Sequence, residues 1–597
     1  IKTIKEVILI ILGIHDGHNC GASIFKNGKM LIAISEEKLT RNKNEYGYPE
    51  QSVNKCLEFC NIKQNQIDFV AVSTKYLPPK YFLVKRNTTF KIEDYLKEQN
   101  QYWYEKIYNK KKVSYTSIFK NKLISKKKFL YDKKYFKNED DVLGMQNARK
   151  KLISKKIKID QNKIEFFDHH QCHAYYGYYG SDFQNKKVAI ITSDGGGDNT
   201  NGSIWISSGN KLIEKYRTNI CNIGRIYRYI TLILGMKPTE HEFKVMGMAG
   251  YGIEKLNFYD KAIKIFKDTL NVEGIKFKYK IKPKDNFFYY KKKLDGLRFD
   301  TISFALQKFT EDLLLKWFKN ISNKYKCKNF IFSGGVAQNI KATQKILEDN
   351  KINSIFIPPG PGDESLCIGA VYCKLANLNI KKNQVTNIIN PYVGMSFNEK
   401  ELKFIFKEKK LKITKTNNKK IAKLLAKGEV IARFSLERNE FGPRALGNRS
   451  ILADPRRSDI LNVINKKIKV RDFWMPFAPS VIDKDLNKYF IIKKNHKPYF
   501  MTIACETTNL GKKMIPAAIH PFDKTARPQL VLKKSNGSYY DLISEFKKIS
   551  GVGILLNTSF NLHGEPIVFT PKDAIKTLKN SGLKYLYIGK YLVEKKI

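Results

Sequence analysis

Long apolar runs are missing from this chain of 597 residues: none approaches the roughly 18–20 residues of a membrane-spanning helix, which excludes a helical membrane protein. The short run Val7-Ile8-Leu9-Ile10-Ile11-Leu12, after Lys2 and Lys5, has no small-residue cleavage site behind it and reads as a buried strand over Val7–Ile14. Cysteine is sparse and odd in number. There are nine, with no Cys-x-x-Cys, and Cys56 and Cys60 sit one helical turn apart without a second pair. That excludes a disulfide scaffold or a zinc finger and points to reduced thiols in a cytoplasmic protein. Acidic residues are outnumbered, 56 against 109 Lys and Arg, giving a formal net charge of +53 and a pI near 9.7. Phosphate-bearing partners suit that balance. The excess is mostly Lys scattered among Ile, Asn, Tyr and Phe, the residues of A/T-rich codons. The runs Lys110–Lys112, Lys126–Lys128 and Lys291–Lys293 are short and far apart. They read as solvated surface rather than a nucleic-acid face. Ile1 opens the sequence, so the true start is expected upstream.

At roughly 100–200 residues per domain the length calls for several domains, and 42% hydrophobic with 12% aromatic residues excludes wholesale disorder. The first segment reads strand, polar turn (His15–Gly21), then a hairpin closed by Lys26-Asn27-Gly28-Lys29. A second strand–Gly-turn–strand unit starts at Val188, with Asp194–Asp198 as the turn and Gly202–Ser207 returning. Two such units suggest a duplicated architecture; by fold analogy, actin-like ATPase domains are built that way, with nucleotide in the cleft. Residues 78–150 read as a partly helical insertion, Thr301–Tyr325 as an amphipathic helix, and Asn329–Ser333 and Ser354–Ile357 as strands ending in Gly-rich turns. A boundary is expected near 380–395, beyond which Arg-bearing motifs appear: Gly442–Ser450, Lys469-Val470-Arg471-Asp472 and Thr525-Ala526-Arg527.

Three of the nine histidines fall within Asp168-His169-His170-Gln171-Cys172-His173. On a helix His169 and His173 are i and i+4, so their rings share a face and can grip one metal ion. Satisfied polar histidines are the competing explanation. A carboxylate from Asp363 or Asp194 would complete a set suited to iron, manganese or zinc. Asp194-Gly195-Gly196-Gly197 and Ser333-Gly334-Gly335-Val336-Ala337-Gln338-Asn339 follow strands, where Gly allows close approach to phosphate or ribose. In a Lys-rich chain, Arg444, Arg449 and Arg527 stand out as planar anion clamps, with Lys469 as a point charge. Salt bridging to Glu440, Asp454 and Asp472 is the alternative for them.

These blocks together resemble the O-carbamoyltransferase family of antibiotic and nodulation-factor biosynthesis. They run in the family's order from Leu12 to about residue 568: Ser35–Lys43, His169-His170…His173-Ala174, Lys244–Ala249, Ser333–Asn339, Gly362–Ser365, Glu440–Ser450, Arg527-Pro528-Gln529 and Asn557–Asn561. The resemblance implies an α/β chain: a duplicated actin-like domain over 1–388 that transfers carbamoyl, and an α+β YrdC-like domain over 389–597. The latter would form carbamoyl-adenylate and pyrophosphate from carbamoyl phosphate and ATP with Mg2+. By position, Arg444, Lys469, Arg527 and Ser559 would bind carbamoyl phosphate and ATP, and Gly335 and Asn339 the adenylate. His169, His173, Asp363 and Asp194 would hold Fe2+. His18 and Lys43 would stand at the transfer site, with His18 taking the proton of a hydroxyl on a small-molecule or sugar acceptor. Met475, Glu437 and Phe243 depart from the family's usual residues, and Asp194–Asn201 is richer in Gly and Asn. No specific nucleic acid and no membrane are expected as partners, and homodimerisation is left open. A tRNA threonylcarbamoyl transferase and a non-enzymatic nucleic-acid binder are the alternatives.

Overall fold

The computed structural model describes residues 8–183, 186–208, 211–254, 257–469 and 472–596. Val7, Lys2 and Lys5 of the first apolar run, and Val470 and Arg471 of the Lys469 motif, lie outside the described residues. The first sheet contains β1 (Ile10–His15), β2 (Gly21–Lys26), β3 (Lys29–Ser35), β4 (Phe69–Ser73) and β5 (Ile164–Phe167), in the order β3-β2-β1-β4-β5. β1 is buried along its whole length, as a central strand flanked on both edges must be. It runs antiparallel to β2 and parallel to β4. Asn27 and Gly28, at φ 50° and 76°, close the β2–β3 hairpin as its Asn-Gly pair foretells.

The second sheet has β6 (Ala189–Gly197), β7 (Thr200–Ser208), β8 (Lys211–Thr218), and, after a separate hairpin of β9 (Leu270–Glu273) with β10 (Lys276–Tyr279), β11 (Asn329–Ser333) and β12 (Ser354–Phe356). Its order, β8-β7-β6-β11-β12, repeats that of the first sheet. The N-terminal part is therefore a duplicated mixed α/β unit. One expectation is corrected. Asp194–Asp198 is not the turn, because β6 runs on until Gly197 pairs with Thr200. The chain reverses at Asp198 and Asn199, φ 47° and 56°, the backbone a two-residue hairpin loop demands. The glycines bulge out of register instead.

The helices His169–Gly180 and Leu366–Asn377 pack together between the two sheets. Gly369 lets them meet: a Cβ there would stand 2.3 Å from Cys172 O. Both helices thereby aim their N-terminal ends at one place. The insertion is a run of short helices, Lys80–Leu83, Arg86–Thr89, Ile92–Lys97, Tyr104–Ile107 and Tyr115–Ile118, before the longer Val142–Ile157. Its buried aromatics form their own small core, which includes Leu232 and Phe287.

The C-terminal part is built on β13 (Leu411–Lys415), β14 (Ile431–Phe434), β15 (Arg449–Ala453), β16 (Ala478–Ile482), β17 (Phe490–Ile491), β18 (Cys505–Thr507), β19 (Thr525–Ala526), β20 (Gln529–Val531), β21 (Ile554–Ser559), β22 (Tyr585–Ile588) and β23 (Tyr591–Lys595). Eight of these form one mixed sheet, β13-β23-β22-β14-β15-β21-β16-β20, and β17-β18-β19 a small second one.

Candidate active site

Asp168 caps the helix His169–Gly180 by accepting the Gln171 N–H at 2.9 Å, while Arg217 forks onto its carboxylate at 2.8 and 3.1 Å. One turn apart, His169 and His173 bring their Nε2 atoms to 3.2 Å. Asp363, just ahead of Leu366–Asn377, places Oδ1 3.5 Å from both Nε2 atoms, and Asp194, in the β6 bulge, places Oδ2 3.6 Å from that of His173. One ligand atom from each of the four lies within 4.8 Å of all the others. Asp363 Oδ1 is buried without a hydrogen-bond partner. Burial, then the Asp194 charge, pushes the Asp363 carboxyl up. Burial would raise Asp194 too, but His173, His169 and the Gly335 N–H outweigh it and hold Asp194 down. Two imidazole lone pairs and two converging carboxylates with an orphaned oxygen are a donor set that fits a divalent cation. His169 Nδ1 is 3.0 Å from Thr74 Oγ1, the arrangement that orients a ligating imidazole. His170 faces away and is satisfied by Thr192 Oγ1 and Thr200 O. The histidine trio therefore divides into two facing rings and one structural ring.

The cluster opens into a cavity of about 1020 Å3. Of the residues singled out by sequence, His18, Lys43, His169, Asp194, Gly335, Asn339 and Asp363 line it from the N-terminal part, and Arg444, Lys469 and Ser559 from the C-terminal part. His173 stands behind its ring partner. Arg527, half-buried between β19 and β20, is not part of the lining. Gly335 donates its N–H to Asp194, and Gly334 permits this turn at φ 94°, where a Cβ would meet Ser193 O at 2.3 Å. Asn339 also caps the helix Ile340–Glu348 and pairs with Gln307.

Arg444 has no protein acceptor in hydrogen-bond reach among the described residues; burial lowers its guanidinium and Glu364 counters it. Lys469 Nζ is held by Ser559 Oγ at 3.2 Å and Asn561 Oδ1 at 2.7 Å. Arg449, expected as an anion clamp, is instead in the core. Its guanidinium carbon lies 3.8 Å from the Phe434 ring and its Nη1 donates to Ser435 O and Asn448 O. β15 is buried throughout, and none of its residues lines the cavity.

At the other end, His18 Nδ1 accepts from Asn87 Nδ2 at 2.9 Å, an amide oriented by Arg86 Nη1 on Asn87 Oδ1 at 3.3 Å. Burial, against Asp194 and with Arg86 and Arg228, lowers His18 to about 4, so the ring is neutral near pH 7. Lys43 Nζ pairs with Glu240 Oε2 at 3.4 Å. Glu240, Arg86, Asn87, Arg228 and Asn561 are lining residues with no local motif to announce them. Just after Glu240, the helix Glu242–Ala249 is clasped by the C-terminal part: Lys244 pairs with Asp472 at 2.8 Å, and His520 Nε2 lies 3.0 Å from Gly247 O.

A family model described as Carbamoyltransferase N-terminus matches residues 10–372, and one described as Carbamoyltransferase C-terminus matches 422–595. An uncharacterized protein of Methanocaldococcus jannaschii is 34% identical over 98% of this chain and 100% of its own. Nodulation protein NolNO of Sinorhizobium fredii is 28% identical over 98% of this chain and 79% of its own. Nodulation protein NolO of Bradyrhizobium diazoefficiens is 31% identical over 72% of this chain and 79% of its own.

Proposed function

The chain belongs to the carbamoyltransferase family, and from that premise we propose that it is an ATP-dependent O-carbamoyltransferase acting on a hydroxyl of a small-molecule acceptor. The observation that carries the reading is the single cavity that joins Arg444, Lys469 and Ser559 to the His169–Asp363 cluster and on to His18 and Lys43. In the first half-reaction carbamoyl phosphate and water give carbamate and orthophosphate. A carbamate oxygen then attacks the α-phosphorus of ATP and expels pyrophosphate, leaving carbamoyl-adenylate. Arg444 and Lys469 carry the positive charge that binds these anions and steadies the leaving phosphates.

In the second half-reaction the acceptor oxygen bonds to the carbamoyl carbon, the carbon–oxygen bond to AMP breaks, and the hydroxyl proton goes to His18. The neutral ring meets the first requirement of that role. Nδ1 is the ring nitrogen that carries the lone pair, and it would take the proton once the acceptor hydroxyl displaces the Asn87 amide from it. The Gly335 turn and Asn339, which line the cavity, would contact the adenylate. His169, His173, Asp194 and Asp363 would hold the metal, proposed as Fe2+. When bound it would supply a Lewis-acidic positive charge for anionic oxygens of the substrates. A continuous cavity between the two ends shortens the path of a mixed anhydride that water destroys.

The test separates the half-reactions. Arg444→Ala should abolish pyrophosphate release that depends on carbamoyl phosphate, while His18→Ala should retain release and lose transfer. Wild-type enzyme that releases no pyrophosphate from ATP with carbamoyl phosphate would refute the reading.

A further inference from the structure

Two arginines stand beside His18 on the walls contributed by the insertion and by the helix Ile223–Ile233, and only one of them is held in an ion pair among the described residues. Arg86 is neutralised by Glu98, whose two oxygens take Nε at 2.9 Å and Nη2 at 2.7 Å. Arg228 lines the same cavity, yet its Nε is buried without an acceptor. Among the described residues no carboxylate comes within 4 Å of its guanidinium; Glu98 and Glu242 feel its charge from farther off, and the Tyr229 ring centroid lies 5.9 Å away. Its charge reaches His18, which it helps to lower. A guanidinium on a cavity wall whose Nε has no acceptor leaves a charged donor open to a ligand's oxyanion. The donor substrates do not need it, since Arg444 and Lys469 serve them from the opposite wall. Trp103, half-buried on the insertion, adds an apolar ring face to the same limb.

We infer that the acceptor is an anion: a ring-bearing polyol whose carboxylate or phosphate is bound by Arg228, leaving a hydroxyl at His18. The planar fork matches either oxyanion. Arg228 is a specificity-determining residue on this account, and a cationic acceptor would be repelled. The inference rests on the transfer reaction proposed above.

The test uses the whole chain with ATP, carbamoyl phosphate and four matched acceptors: glucuronate, glucose 6-phosphate, glucose and glucosamine. One or both of the two anions should be carbamoylated with a kcat/KM at least ten times that for glucose, with glucosamine poorest; which anion reacts separates carboxylate from phosphate. Arg228→Gln should raise the KM for the reactive anion on the order of 10–100-fold, the weight of a charge-assisted hydrogen bond, with a smaller effect on kcat, and Arg228→Lys should restore part of it. Equal or better use of glucose or glucosamine, failure of both anions to react or compete, or an unchanged KM in Arg228→Gln would each overturn the inference. Pyrophosphate release measured without acceptor keeps the two readings apart. If release is present, such a failure falls on the acceptor alone; if release is absent, the transfer reaction itself is wrong.

Discussion

Replacing Thr74 with Val asks whether the His169–His173–Asp194–Asp363 cluster is a metal centre or only a buried polar contact. With His169 coordinated through Nε2, Nδ1 keeps its proton and donates it to Thr74 Oγ1, 3.0 Å away. Thr74 occupies left-handed backbone at φ 64°, an unusual place for a β-branched residue. It is pinned there because the Asp198 carboxylate accepts the Lys75 N–H at 2.9 Å, the Tyr76 N–H at 2.7 Å and the His169 N–H at 2.8 Å. Val has the same shape and the same branching, so the backbone strain of about 1–3 kcal/mol is common to both and cancels. What is subtracted is the hydrogen bond. Such outer-shell partners are typically responsible for about 10–100-fold in metal affinity, or roughly 1.4–2.7 kcal/mol. Anaerobic chelator competition with Fe2+ should therefore show a Kd weakened by about 10–100-fold in Thr74→Val, and no measurable site in His173→Ala. Circular dichroism should report both chains as folded. An affinity within two-fold of the parent in Thr74→Val would refute ligation through Nε2 of His169.

Gly197→Ala should expel His169 from the cluster, because the new Cβ would stand 2.2 Å from its Cγ; metal content by mass spectrometry should fall while the chain stays folded. Arg149→Leu should cost about 3–5 kcal/mol in urea unfolding, since it leaves Asp16 buried without the guanidinium that forks onto it; the double variant Asp16→Asn, Arg149→Leu should recover part of that loss. Lys382 is lowered from 10.5 to about 7 by burial, with Asp182 opposing. The unfolded chain therefore binds more protons between those values, so the parent should gain stability relative to Lys382→Met as pH rises from 7 to 10.5; a gap independent of pH would contradict this. The runs Lys110–Lys112 and Lys126–Lys128 are exposed. Neutralising them should leave turnover at physiological salt within about two-fold, given a Debye length of roughly 8 Å; a requirement for added RNA would revive the tRNA alternative.

What was legible in the sequence was what local geometry decides. Asn27-Gly28 announces its hairpin, the i, i+4 spacing of His169 and His173 announces a shared face, and the strand-end positions of Asp194 and Asp363 make them fit partners. Residues that meet only through the tertiary fold gave no such signal. Glu240 pairs with Lys43 across nearly two hundred positions, and Asn87 reaches His18 from an insertion with weak periodicity. Arg449 misled for the complementary reason. Its motif advertises anion binding, but the burial of β15 turns the side chain onto Phe434. The Asp194–Asp198 segment was read as a turn by its glycines, whereas Asp198 and Asn199 supply the positive φ the reversal needs.

The clasp on the helix Glu242–Ala249 has a consequence for stoichiometry. Lys244 and Gly247 are gripped by Asp472 and His520 of the C-terminal part, while Glu240, a few residues upstream, pairs with Lys43 at the transfer end. That stretch of the cavity wall is thus anchored on both sides and cannot be drawn back from one alone. On the proposed reaction, parting this seam to release pyrophosphate would also slacken the wall that carries Glu240. If the reaction is the one proposed, Lys244→Ala, which loosens this joint, should raise the ATP consumed for each carbamate ester made.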